Sequence, residues 1–159
     1  MRALALIAVL VLGGCSTLHV GGGGLGPQDA LTIGFLQTQS LPTHSTSPGI
    51  AYSTGVALSC TAGGGYVAFH ADVRAEADTS TVRLAIAKVD GSGNEAAVGS
   101  PAPITVVASE PPPTGLKTVI FKPIAMSELC ATLSPGDYHA RIVAPDGTVL
   151  AFGHFTIVP

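Results

Sequence analysis

Apolar and polar side chains alternate without interruption from Tyr66 to Glu76, with Val67, Phe69, Ala71, Val73 and Ala75 on one face and Ala68, His70, Asp72, Arg74 and Glu76 on the other. A period of two predicts a half-buried antiparallel strand, because successive side chains of an extended chain point to opposite sides of a sheet. Ser80 to Val89 repeats the pattern with Val82, Leu84 and Ile86 on one face. Asp90-Gly91-Ser92-Gly93-Asn94 then supplies residues that tolerate tight turns. Shorter runs of β-forming residues predict strands near Leu31 to Gln37, Gly55 to Ser59, Ile104 to Ala108, Leu116 to Lys122, Tyr138 to Ala144 and Thr148 to Val158. Met126 to Thr132 reads as a short helical turn. Pro111-Pro112-Pro113 cannot donate to a ladder and marks a connection. Short strands punctuated by turn signals predict an all-β fold, a two-sheet antiparallel β-sandwich.

The chain starts differently. Arg2 precedes an unbroken apolar run, Ala3 to Leu12, that closes on Gly13-Gly14-Cys15, the layout of a secretory signal. The run is too short to cross a bilayer as a helix, which takes about 20 residues. Leu12-Gly13-Gly14-Cys15 resembles the lipobox of bacterial lipoproteins. The resemblance implies that residues 1–14 are a signal peptide, that Cys15 carries a diacylglyceryl thioether and that its freed amine is acylated. Ser16 follows, where the sorting pattern of enteric bacteria favours the outer membrane over inner-membrane retention. Residues 15–30, with Gly21-Gly22-Gly23-Gly24, are too poor in apolar side chains to offset the entropy of ordering and read as a tether. Residues 31–159 are left as the β-domain. No Gly-Lys-Ser/Thr follows the glycines, so they do not read as a phosphate loop.

With Cys15 acylated, Cys60 and Cys130 are the remaining thiols, and export places them where disulfides form. Neither lies in a Cys-x-x-Cys pair, so a bridge between them is expected over redox or zinc chemistry. Leu133-Ser134-Pro135-Gly136-Asp137-Tyr138 resembles the tyrosine corner that leads into a late strand of immunoglobulin-like domains. This implies an immunoglobulin-like sandwich of about 7–9 strands, with the phenol bonded back to backbone. Immunoglobulin domains proper place a cysteine two residues after that tyrosine. Ala140 stands there, so Cys130 would make a different cross-link.

The last hairpin admits two registers. A two-residue turn at Asp146-Gly147 sets His139 opposite His154, whereas a three-residue loop with Gly147 left-handed pairs Ala144 with Thr148 and sets Tyr138 opposite His154. Pro145 favours the second, and a bulge at Gly153 would then return Phe155 and Ile157 to the core face. Under the first, His139 and His154 become candidate metal ligands with Asp137 nearby. One register also leaves Val143, Leu150 and Phe152 as an apolar patch on the outer face, a candidate partner surface. The closing pattern, with Leu133, Pro135, Gly136, Tyr138, Arg141, Asp146, Gly147, Gly153 and Phe155, is similar to the end of copper-resistance periplasmic sandwich proteins. Those carry a histidine after the Asp-Gly pair where Thr148 stands here, so copper binding is not implied.

Composition narrows the function. Only 11% of residues are charged and the formal net charge is −3, without the basic cluster that a nucleic-acid backbone requires. There is no tryptophan, and aromatics make up 5%, a poor stacking platform for sugars. Neither Gly-x-Ser-x-Gly nor His-Glu-x-x-His occurs, so no enzyme activity and no cofactor are expected. The reading that remains is a non-catalytic accessory module, lipid-anchored at the outer membrane, that binds another envelope protein. The alternatives are periplasmic binding of a metal or small ligand through the strand histidines, and inhibition of a lysozyme or protease through a loop such as Glu110 to Gly115.

Overall fold

The computed structural model describes residues 31–41, 53–61, 64–110 and 115–159. The expected signal peptide, Cys15, the expected tether and Pro111-Pro112-Pro113 lie outside the described residues. Among the described residues eleven strands and one helix form: β1 (Leu31–Thr38), β2 (Val56–Ser59), β3 (Tyr66–Arg74), β4 (Arg83–Val89), β5 (Glu95–Ala97), β6 (Ala102–Pro103), β7 (Val106–Glu110), β8 (Leu116–Phe121), β9 (Ile124–Ala125), α1 (Met126–Thr132), β10 (Gly136–Val143) and β11 (Val149–Val158). The fold is all-β. The eight strands and the helical turn expected from periodicity all form, with ends shifted by a few residues. The expected 7–9 strands become eleven because β5, β6 and β9, of two or three residues each, carry no readable period.

Hydrogen bonding runs continuously along β5-β4-β10-β11-β1-β3-β8-β7, with β6 added to β4, β2 to β11 and β9 to β3. The expected all-antiparallel pairing is corrected at two places, since β1 and β2 both run parallel to β11 and make the sheet mixed. Strand β1 joins the two parts of this path. Leu31 and Thr32 pair with Ala151 and Phe152, and from Ile33 onward the strand pairs instead with β3. Strand β2 then takes the place beside β11 that β1 has left, pairing Val56–Ser59 with Phe155–Val158. Gly153 permits the crossing, because a Cβ there would stand 2.8 Å from Ile33 Cβ and 2.9 Å from the Ile33 carbonyl oxygen. Any side chain would hold β1 off.

Burial alternates along β10, along β11 from Ala151 and along β3 from Phe69, so each strand gives one face to the core, and Ala68 on the other face of β3 is buried as well. Four of the five phenylalanines lie in that core. Phe121 stacks on Phe69 at 5.0 Å between ring centroids, Phe69 on Phe35 at 6.3 Å, Phe35 meets Phe155 at 5.3 Å and Phe155 stacks on Tyr138 at 5.5 Å. This row of rings joins side chains from both ends of the hydrogen-bonded path, so the two parts share one core. The Tyr138 hydroxyl donates to the Ser134 carbonyl at 2.6 Å, which lets the ring sit 2% exposed with its polar end satisfied.

Helix α1 is too short to persist alone, since isolated helices below about 12 residues are marginal. Its start has no side-chain cap. Burial of Met126 and Leu129, and a backbone bond from Met126 N–H to the Gly65 carbonyl at 2.9 Å, hold it instead. The Cys60–Cys130 disulfide, with Cα atoms 5.8 Å apart, ties it to the end of β2.

Both hairpin registers are used, one at the turn and its first rung and the other along the rest of the ladder. At the turn, Gly147 has φ +90°, its N–H donates to the Ala144 carbonyl, and Ala144 N–H donates to Thr148 at 2.9 Å, as the three-residue loop requires. Val143 pairs with Val149 and Ile142 with Ala151, so Leu150 is the extra residue of a bulge. Beyond it His139 faces His154 and Tyr138 faces Phe155. The bulge therefore falls at Leu150 and not at Gly153, which the crossing by Ile33 already occupies.

Candidate functional site

Residues that pair across a ladder share a face. With Tyr138, Ala140 and Ile142 in the core, Asp137, His139, Arg141 and Val143 of β10 point outward, together with Phe152, His154 and Thr156 of β11. On β4 the outward residues are Ala85 and Ala87, opposite Arg141 and His139. These small side chains leave a shallow floor. Glu95 of β5 reaches across it: its Oε1 lies 2.5 Å from His139 Nδ1 and 2.7 Å from the Arg141 guanidinium, and its Oε2 accepts from Arg141 at 2.8 Å. Ala87, paired with His139 on one side and Ala97 on the other, is only 7% exposed.

Phe152 completes the cluster. The Arg141 guanidinium lies 5.3 Å from its ring centroid, and the His139 ring meets it edge-on at 4.8 Å. The Arg141 hydrogen bonds, and secondarily the His139 contact, hold the Glu95 carboxyl below its ordinary range, against an opposing effect of partial burial. The side chains of Arg141, His139 and Glu95 are 24%, 28% and 33% exposed, so the plate is half sunk into the sheet. The ring contacts of Phe152 and an ion pair in which one Arg141 nitrogen bonds both Glu95 oxygens fix its geometry before any partner arrives.

The residues singled out from sequence divide as follows. Cys60 and Cys130 are bonded to each other. Of the proposed apolar patch, Leu150 packs against the edge of the core, Val143 stays half-buried, and Phe152 lies on the outer face under Arg141. His139 and His154 are opposite in register, but their rings turn apart. His139 bends to Glu95 and Phe152, while His154 lies over Gly55, whose backbone N–H donates to the His154 carbonyl at 2.9 Å. Asp137 accepts from the Thr156 hydroxyl at 2.6 Å. Among the described residues, no group of three or more His, Cys, Asp or Glu side chains could hold a metal ion. On the opposite part of the sheet, burial lowers the His70 pKa against the pull of Asp72.

Sequence reasoning did not single out Glu95 or Arg141 as site residues. One signal was present: Arg141 stands two residues after His139 on a strand of period two, so both had to share a face. Among the described residues, no helix is long and apolar enough to cross a membrane. No protein-family model matches this chain, and no curated protein matches it either.

Proposed function

We propose that this chain is a non-catalytic envelope lipoprotein, anchored at the outer membrane through Cys15. Its domain, on this reading, is an immunoglobulin-like two-layer sandwich that binds another envelope protein through the outer face of β4, β5, β10 and β11. The layered reading is supported by strands that bury one face each, by β1 changing partners at Ile33, and by the Tyr138 bond to Ser134. The Cys60–Cys130 bridge suits an exported protein.

The observation that carries partner binding is the Phe152 ring held between Arg141 and His139 beside an alanine floor. Aromatic and arginine side chains dominate the energetics of protein interfaces, and a rigid, half-buried pair loses little freedom on binding. A lipid anchor raises the local concentration of such a surface near its partner, so modest affinity is enough.

The test places a photoreactive amino acid at Ala97, which is exposed beside this face, in cells expressing the full chain. A discrete cross-linked adduct is expected, and Phe152→Ala should reduce its yield by at least about tenfold while leaving the melting temperature nearly unchanged. No adduct, or the same yield with Phe152→Ala, refutes the reading. The anchor is tested separately by metabolic labelling with palmitate: incorporation must disappear in Cys15→Ser.

A further inference from the structure

A second feature lies away from the Phe152 plate, at the core edge where α1 approaches β4. Strands β5 and β6 pair with separate stretches of β4, Val89 to Ala87 and Leu84 to Arg83, and the chain between them bridges the gap with Val98 N–H bonded to the Ile86 carbonyl at 2.9 Å. The bridge stands off from α1. Between them opens a groove of about 410 Å³ walled by Leu84, Ile86, Val98, Ile104, Ile124 and Leu129. Behind it lies an apolar void of about 20 Å³, and Leu84, Ile86, Ile124 and Leu129 line both spaces. One layer of side chains therefore separates the groove from the inside of the core. Ile86, Val98, Ile104 and Ile124 are only partly buried, so their apolar surface is left without a protein neighbour on the groove side.

The lining also specifies charge. Glu128, in the first turn of α1, is the one ionisable side chain among the described residues that line the groove. No cation stands there to receive a carboxylate or phosphate head, and the whole chain carries a net charge of −3. We propose that this groove binds a single alkyl chain bearing a cationic head, with the hydrocarbon between β4 and α1 and the head beside Glu128. Its volume is in the range of small-ligand pockets, about 300–1,000 Å³, and its lining has their character of mostly apolar walls with few polar groups, of which Glu128 alone is charged.

The experiment is titration calorimetry of the full chain with octyl-, decyl- and dodecyltrimethylammonium below their micelle concentrations, and with dodecanoate. Burial of each methylene tightens binding about fourfold, so each step of two methylenes should strengthen it by roughly 15-fold until the groove is filled. At low salt dodecanoate should bind at least about tenfold more weakly than the dodecyl cation, and Glu128→Gln should narrow that gap. Ser100→Trp, at an exposed lining position, should block binding of every chain while leaving the melting temperature in place. Affinity independent of chain length, or unchanged by Ser100→Trp, overturns the site. Equal affinity for cation and carboxylate in the unaltered protein overturns the assignment of the head.

Discussion

Removal of the Cys60–Cys130 bridge should lower the melting temperature by about 15 °C without altering the folded β-structure. The bridge closes a sequence separation of 70 residues. In the chain-entropy treatment, closing such a loop restricts the unfolded ensemble by roughly 4 kcal/mol at 25 °C. For a domain of about 130 residues, 1 kcal/mol corresponds to roughly 4 °C in melting temperature, which gives the expected shift. The folded state has other means of holding β2. Its strand pairs with β11, and Gln37 clamps Ser59 through two hydrogen bonds of 2.9 Å, one to its carbonyl and one from its N–H. The effect should therefore lie mainly in the unfolded chain. The assay is thermal melting followed by circular dichroism, comparing Cys15→Ser with Cys15→Ser/Cys60→Ser/Cys130→Ser, each with and without a phosphine reductant. Reductant should lower the first to the level of the second and leave the second unmoved. A shift below about 3 °C would refute the loop-entropy reasoning. Loss of β signal at 25 °C on reduction would show that the bridge holds β2 and α1 in place directly.

Gly153→Ala should destabilise the domain by about 1–3 kcal/mol in urea unfolding, because the new methyl would meet Ile33 where β1 crosses β11. A neutral result would mean that β1 can lift without cost. Tyr138→Phe should lose about 1 kcal/mol by the same assay, through the missing hydrogen bond to the Ser134 carbonyl. Glu95 predicts a pH dependence. Its folded pKa lies below the unfolded value of about 4.3, so its contribution is present above that value and is lost as pH falls through the folded pKa. Its side chain is 33% exposed, so the contribution should not exceed about 1 kcal/mol. The stability gap between the unaltered protein and Glu95→Gln should accordingly be open at pH 6 and closed near pH 2, and a pH-independent gap contradicts the ion-pair account.

Side-chain period made most of this fold legible. The sequence of β3 alternates because one face is buried and the other, Ala68 apart, is not, and β10 and β11 are read the same way. Direction is not encoded in that pattern. A strand burying every second residue looks the same whether its neighbour runs parallel or antiparallel, so the parallel placement of β1 and β2 against β11 was invisible. The Glu95 cluster was hidden for a related reason: it joins β5 to β10 across the intervening β4, and a three-residue exposed strand gives no register from which to place Glu95.

The hairpin shows how much one residue can decide. Had the register set by the Gly147 turn continued unbroken, Phe152 and His154 would have paired with Ala140 and Tyr138 and faced the core, with Phe155 and Ile157 outside. Leu150 inserts the single step that reverses every later residue of β11. Phe155 then completes the row of rings between Phe35 and Tyr138, and Phe152 is delivered to the outer face beneath Arg141. The same insertion completes the core and makes the proposed contact surface. Turn chemistry alone selected a register that holds for only the first rung of the ladder. The remainder is set by which phenylalanine the core can accept, and with Ile33 pressed onto Gly153, the ring of Phe155 fills the space beside Phe35.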